Sequence, residues 1–451
     1  MINPADVLRH YRSAVPRYTS YPTAPNFSDA GAADVHSQNL AAIKPDDHVS
    51  LYMHIPFCDR LCWFCGCHTK HTLKYAPVSA YMDHLVREIE AVAAGMTTKP
   101  IINMLHLGGG SPSLLQPDDL ARLKAVVDEH FQCTDDTEIS IEIDPSDGLD
   151  RLLEGLVAFG ITRASIGVQD FDPDVQAAIN RPQSFEETRD VVDALRSLGV
   201  KSLNIDALYG LPRQSHARLM KTLEQCLSLS PDRMALFGYA HVPWLKTHQK
   251  MIKETDLPNS FERFDHMMAA RALITQGGMT AIGIDHFAKP DDGLAIAAHS
   301  GKLRRNFQGY TTDQARTMLG FGASSIGQGE AGYVQNIVPI GQYKQAVSEG
   351  ASIAAKAYRL TNEDKFRAAL IERLMCDFKV QLNALPFGEQ AYLQSAQRDA
   401  AMFIASDPFA MLKMDGSNLI IAEEARPFAR IVAAAFDQYL TANQSRYSAA
   451  V

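Results

Sequence analysis

The sequence predicts an α/β fold: an incomplete (β/α)6, TIM-like barrel with an N-terminal arm and a mainly helical C-terminal domain. Three observations carry this expectation. From about residue 49, short β-rich runs alternate six times with longer amphipathic stretches, the pattern of β-loop-α repeats in a parallel sheet. Several runs alternate apolar with polar residues, whereas an ordinary parallel sheet is apolar on both faces. Polar groups pointing inward at the C-terminal ends of strands are what the active site of a barrel requires. The alternation weakens after Ala240, leaving six units where a closed barrel has eight, so one side stays open. With 46 % hydrophobic and 21 % charged residues among 451, the chain can build a large core, and overall disorder or coiled coil is excluded.

The elements follow in order. An arm, residues 1–35, contains Arg17-Tyr18-Thr19-Ser20-Tyr21-Pro22-Thr23, too aromatic and too rich in turn formers for a free tail, and is expected to close over the site. The partial barrel, 36–355, has strand candidates at 50–56, 101–107, 138–143, 163–168, 202–208 and 233–240. In 138–144, Ile139, Ile141 and Ile143 alternate with Glu138, Ser140, Glu142 and Asp144, and Asn204 and Asp206 repeat the pattern in 203–208. The stretch 185–198 reads as a helix with Val192, Leu195 and Leu198 on one face, ended by Gly199. Residues 281–310 are dense in polar and aromatic groups and read as a site wall. The last unit, 356–451, is expected to hold helices at 362–378 and 426–440 around a hairpin at 411–423 turned by Asp415-Gly416.

Charge and hydropathy exclude several classes. The net charge of -9 disfavours polyanion binding. The helix-hairpin-helix order at the end could mimic a winged DNA-binding module, but 361–451 hold 9 basic and 11 acidic residues, so a lid or packing role is expected and nucleic acid is not. No run of about 18 apolar residues occurs and the first residues lack a secretory pattern, so a soluble, cytoplasmic protein without membrane insertion is expected. No apolar stripe calls for a partner subunit, which favours a monomer.

Four of seven cysteines fall within ten residues: Cys58, Cys62, Cys65 and Cys67. CxxxCxxC begins where the first strand ends, so one loop at the barrel mouth presents three thiolates. Soft thiolates select zinc or iron-sulfur clusters. Zinc would need a fourth ligand, which Cys67 or His68 could supply, yet no second ligand pair exists in the chain. A cubane of four irons held by three cysteines leaves one iron open to a cosubstrate. Redox-active thiols are the third reading. Cys133, Cys226 and Cys376 read as small buried apolar side chains. The second strand ends in Gly108-Gly109-Gly110-Ser111-Pro112-Ser113, a turn that is neither a P-loop nor a dinucleotide motif and lets backbone approach a ligand beside the cysteine loop.

CxxxCxxC with Phe64 before the last of these cysteines, GGG after the second strand and six βα units resemble the radical S-adenosylmethionine (SAM) superfamily. Further strings narrow this: RYTSYPTA, YMHIPFC, GGGSPS, EIDP, GVQDF, NRPQ, DALYGLPRQ, YAHVPW, GIDHFAKPDD, RNFQGYTT and GFGASSIG, spanning 16 to about 330. In combination they are similar to the oxygen-independent coproporphyrinogen III oxidases, also called coproporphyrinogen dehydrogenases. The resemblance implies a 4Fe-4S cluster on Cys58, Cys62 and Cys65, with Cys67 close by but not ligating. It implies SAM contacts at Tyr52, Phe64, Gly108, Gly109, Gly110, Glu142 and Ile326, and a second SAM molecule at Gln169, Arg181, Asp206 and Ala240. The implied reaction uses a 5'-deoxyadenosyl radical to convert two propionates of coproporphyrinogen III to vinyl groups, giving protoporphyrinogen IX for haem biosynthesis. No acid or base catalyst is implied, and electrons would come from a low-potential donor such as flavodoxin or ferredoxin. Because the substrate is a tetracarboxylate and the chain acidic, local cations are needed, and Arg17, Arg304 and Arg305 are candidate contacts by position, with Tyr18 and Tyr21 closing the site. The nearest rival is the haem-chaperone branch of the superfamily, against which stand Cys67, RYTSYPTA, NRPQ and RNFQGYTT. A haem-degrading, methyltransferase-like relative and a zinc-stabilised binding module are weaker readings.

Overall fold

The computed structural model describes residues 3–11, 14–148 and 152–440, so the tail 441–451 of the expected C-terminal unit lies outside the described residues. Twelve strands form one open sheet. In chain order they are β1 (His48–Ile55), β2 (Ile101–Gly109), β3 (Glu138–Ile143), β4 (Arg163–Gln169), β5 (Ser202–Tyr209), β6 (Arg233–Gly238), β7 (Thr280–Ile282), β8 (His286–Ala288), β9 (Thr317–Phe321), β10 (Ile326–Gln328), β11 (Gly332–Asn336) and β12 (Ala354–Arg359). Their order across the sheet is β12-β11-β10-β9-β1-β2-β3-β4-β5-β6-β8-β7. The six expected strands stand side by side in sequence order and pair in parallel. The sequence did not reveal β9, which pairs in parallel with the free side of β1. Antiparallel strands extend both edges, and the barrel stays open because β7 and β12 end the sheet instead of meeting.

Alternation decides what each face of the sheet does. Val49, Leu51, Met53 and Ile55 of β1, Ile139, Ile141 and Ile143 of β3, Ala164, Ile166 and Val168 of β4, and Leu203, Ile205 and Ala207 of β5 join one apolar core under the covering helices. Their neighbours Ser50, Glu138, Ser140, Glu142, Ser165, Asn204 and Asp206 line a concave polar cavity of about 170 Å³ on the other face. The site face of the barrel is therefore the polar set of each two-faced strand.

Within the described residues the arm packs against the rest of the protein. Ser28 bridges backbone to backbone with Ala357 on β12 and so shields an exposed sheet edge. Val7, Tyr18 and Tyr21 lie in a second core shared with the C-terminal elements. That part holds the helix Asn362–Asp377, the helix Gln390–Ser406 and a small sheet ordered β13 (Lys379–Gln381), β15 (Asn418–Ile421), β14 (Leu412–Asp415). The hairpin turns as expected, with Asp415 paired to Asn418 and Gly416 at φ +59°.

Three expectations need correction. The helix at 426–440 does not form as one element: a 3-10 turn, Glu423–Phe428, contains Pro427, and only Ala429–Ala434 is α-helical. Proline lacks the N–H and stops a longer helix, and beyond it tertiary anchors replace helical bonds: Arg367 donates to the Phe436 carbonyl at 3.0 Å, and Tyr439 to Asp364 at 2.7 Å. The wall segment 281–310 is less irregular than expected, containing β8, the helix Gly293–His299 and a hairpin of Arg304–Asn306 with Gly309–Thr311. Cys133 is exposed, not buried, whereas Cys226 and Cys376 are buried.

Candidate active site

The chain leaves β1 at Ile55 and runs directly into the cysteine loop. Backbone carbonyls fix that loop: Asn180 holds Leu61, Gln249 holds Phe64 at 2.9 Å, His248 holds Cys65 at 2.8 Å and Lys246 holds Cys67 at 2.9 Å. The Trp63 N–H donates to Ile179. These partners lie in or beside the NRPQ and YAHVPW strings, so those chemistry-poor stretches serve the site by holding its loop.

The three thiols occupy different environments. Cys58 Sγ shares a hydrogen bond with Thr69 Oγ1 at 3.0 Å, Cys62 Sγ accepts from Arg181 at 3.5 Å, and Cys65 Sγ accepts the Cys67 N–H at 3.3 Å. Burial pushes Cys58 up to about 12 and raises Cys62 against the pull of Arg181, whereas hydrogen bonding from Cys67 brings Cys65 down to about 7. Binding a metal cluster there releases protons, and the donors to each sulfur tune what it holds. Among the described residues, no three His, Cys, Asp or Glu side chains close on a common point as ligands of one ion do. Three thiols presented by one loop, each with its own hydrogen-bond partner, are soft ligands of the kind an iron-sulfur cluster takes. Cys67 is exposed.

The glycine run is dictated by how closely β2 passes the end of β1. A Cβ on Gly108 would sit 3.0 Å from Tyr52, one on Gly109 2.7 Å from His54, and one on Gly110 2.5 Å from the Phe57 carbonyl. Gly109 also takes φ +123°, and its N–H donates to Glu142 Oε2 at 2.9 Å. His106 stands 3.3 Å from Glu142 Oε1 and stacks on Tyr52, whose hydroxyl lies 2.9 Å from His54 Nδ1. Burial works to raise Glu142, but His106 and the Gly109 N–H outweigh it and hold the carboxylate below its ordinary value.

Around Arg181 a second group converges. The guanidinium donates to Asp144 at 2.8 Å and to the Gly167 carbonyl at 2.6 Å as well as to Cys62. Gly167 has no Cβ where one would meet Arg181 and the Gln169 amide, each at 3.1 Å. Gln169 sits at φ +66° in a register break of β4 that turns its side chain back over Gly167. Asp206 accepts from Ser165 and Asn204, both at 2.8 Å, and burial raises its pKa. Glu142 and Asp206 line one cavity; Ala240 lines a neighbouring one, and the two share Phe237.

The remaining expected residues sit further out. Ile326 is on β10, its carbonyl backed against Gly320 of β9. Tyr18 and Tyr21 are buried, their hydroxyls bonded to Asp437 and the Gln438 N–H, and both border a cavity of about 210 Å³ with Arg304 and Arg305. Arg304 is paired with Glu372 at 2.8 Å. Arg17 donates to the Gly238 carbonyl and its own carbonyl accepts from Arg305. Sequence reasoning missed His54, His106 and the loop-holding His248 and Gln249, and placed Asp144 on the polar strand face without assigning it to the site. His54 and His106 share the polar alternation that exposed Glu142, so that signal was present; the other contacts are long-range.

The radical SAM superfamily matches residues 52–226. The chain is 45 % identical over 443 residues to the oxygen-independent coproporphyrinogen III oxidase of Cereibacter sphaeroides, covering 98 % of this chain and 97 % of the relative. It is 42 % identical to that of Bradyrhizobium diazoefficiens, covering 97 % of each. The structure of coproporphyrinogen III oxidase from Escherichia coli, a radical SAM enzyme, superposes with a TM-score of 0.88 at 35 % identity, over 97 % of this chain and 100 % of the other. With relatives this similar along nearly its whole length, the chain belongs to the oxygen-independent coproporphyrinogen III oxidase family of the radical SAM superfamily.

Proposed function

We propose that this protein decarboxylates coproporphyrinogen III oxidatively, without oxygen, to protoporphyrinogen IX. The observation that carries the reading is full-length similarity to oxidases of that name, joined to a three-cysteine loop, a glycine cradle and a polar strand face at one end of the sheet. Cys58, Cys62 and Cys65 hold the 4Fe-4S cluster. When bound, that cluster would supply the electron for reductive cleavage of SAM, which hydrogen removal from a substrate propionate requires, and the electron released with carbon dioxide would leave to an acceptor.

The chain's own residues do the rest. Gly108 and Gly109 keep the β2 end free of side chains beside Tyr52 and His54, so backbone and the Glu142 carboxylate reach a cationic cosubstrate directly. Glu142, held ionised, complements the amino group and sulfonium of SAM. Tyr52, Phe64, Gly110 and Ile326 complete that first site by their matching positions. Gln169, Arg181, Asp206 and Ala240 serve a second SAM molecule, with Arg181 placed between Cys62 and Asp144 so that both sites feel the cluster loop. The units 1–35, 36–355 and 356–451 act as arm, catalytic barrel and cover, in a cytoplasmic monomer fed by a low-potential donor such as flavodoxin or ferredoxin. No helix among the described residues is long and apolar enough to cross a membrane.

Anaerobic reconstitution with iron and sulfide, followed by coproporphyrinogen III, SAM and a low-potential reductant, tests the reading. Protoporphyrinogen IX and 5'-deoxyadenosine should form together, about one nucleoside per propionate lost. 5'-Deoxyadenosine with no vinyl product would remove the decarboxylase reading.

A further inference from the structure

Between the mouth of the barrel and the C-terminal elements lies a cavity of about 230 Å³ whose lining includes Arg17, Arg263, Arg305 and Arg430, against a single carboxylate, Asp285. Asp285 is already engaged, 2.7 Å from His286 Nδ1 and 3.8 Å from Arg305 Nη1. Arg305 is buried over the Tyr310 ring at 4.3 Å, and its Nε and Nη1 make no hydrogen bond among the described residues. Nor does the buried Nε of Arg263. Arg430 is buried too and donates to the backbone carbonyls of Val15 and Pro16.

The space around Arg263 is built for it. Gly210, at φ +78°, has no Cβ where one would meet Arg263 Nη1 at 2.9 Å, and a Cβ on Gly238 would meet both Tyr209 and Arg263. Burial lowers Arg263 and, with repulsion from Arg17, brings Arg430 down to about 10. Buried like charges in excess over their counterions are costly, and an anionic ligand removes that cost. The cavity is below the roughly 300 Å³ at which pockets enclose a drug-sized ligand, so it takes an edge of a larger molecule. It shares Phe237 with the polar cavity of Glu142 and Asp206, which sets that edge beside the proposed cosubstrate site. The neighbouring cavity at Arg304 is a poorer anion site, because Arg304 is spent on Glu372.

We propose that this cavity is a carboxylate clamp in which Arg263, surrounded by Arg17, Arg305 and Arg430, binds the propionate edge of the tetrapyrrole. The proposal rests on the function proposed above and adds Arg263 and Arg430 to it. The other carboxylate within reach is that of SAM itself, and the test separates the two. The cluster-loaded protein is titrated anaerobically, by fluorescence, with coproporphyrin III, an unreactive tetracarboxylate, and with its uncharged tetramethyl ester; SAM affinity is measured in parallel. Wild type should bind the acid at least tenfold more tightly than the ester. Arg263→Gln should lose at least tenfold in affinity for the acid, and Arg263→Lys should fall between, since it keeps charge but not the bidentate fork. SAM affinity, iron content and melting temperature should be unchanged. Equal binding of acid and ester by wild type overturns the clamp even if the variant fails to fold. So does an Arg263→Gln protein that keeps acid affinity, or one that loses SAM affinity instead. Absence of wild-type turnover of coproporphyrinogen III would count against the proposed function, whereas turnover with equal acid and ester binding counts against the clamp alone.

Discussion

Glu142 receives the Gly109 N–H and faces His106, while the three cysteine sulfurs have other partners. Glu142→Ala should therefore raise the dissociation constant for SAM about tenfold or more and leave iron content unchanged; equal SAM affinity in a titration calorimeter would return Glu142 to a structural role. Glu88 behaves differently. Burial pushes it up to about 7 although Tyr343, Asn336 and the Gly322 N–H all donate to it. Between the ordinary carboxylate value and pH 7 the folded state holds the extra proton, so stability falls as pH rises through that window, by roughly 3 kcal/mol in all. Denaturant midpoints from pH 4.5 to 7.5 should decline more steeply for wild type than for Glu88→Gln, and parallel slopes would contradict this. At this scale Glu142 was legible because polar residues alternating along a strand announce an inward face. Arg263 and Arg430 were not, because nothing local distinguishes an arginine on a helix that faces solvent from one that folds over a cavity.

Elements were legible where local rules dominate. The six parallel strands, the helix Phe185–Ser197 with its Ser184 cap and the Asp415-Gly416 turn all obey short-range patterning. The helix Gln390–Ser406 escaped notice because its buried stripe is only Ala396 and Ala400, and the run 426–440 misled because its spacing is helical while Pro427 and the contacts of Phe436 and Tyr439 override it. The glycine run illustrates how one element constrains another. Gly110→Ala should force the β2 end away from Phe57 and cost most of the cluster iron, because the added methyl would lie 2.5 Å from backbone that cannot retreat. Gly66→Ala, inside the cysteine loop but with nothing within 4 Å, should keep wild-type iron content. Equal iron in both variants would show that the cradle is not needed.

For the whole molecule, the arm matters as much as the barrel. Tyr21 is 2 % exposed in the C-terminal core, its hydroxyl accepts the Gln438 N–H, and its carbonyl accepts from Tyr333 on β11. Arm, sheet and C-terminal elements are thus one packing problem. Tyr21→Ala should cost about 3 to 5 kcal/mol of stability in urea denaturation, and a change under about 1 kcal/mol would mean that the arm merely rests on the surface. All of this scaffolding converges on one loop, and the account stands on what Cys58, Cys62 and Cys65 carry. The most direct test is iron, sulfide and zinc analysis of anaerobically purified protein, with electron paramagnetic resonance after dithionite. Roughly four irons and four sulfides per chain, a reduced-cluster signal that shifts on adding SAM, retention in Cys67→Ser and loss in each of Cys58→Ser, Cys62→Ser and Cys65→Ser is the expected result. A colourless protein carrying stoichiometric zinc, or a full cluster in the Cys62→Ser variant, would contradict it.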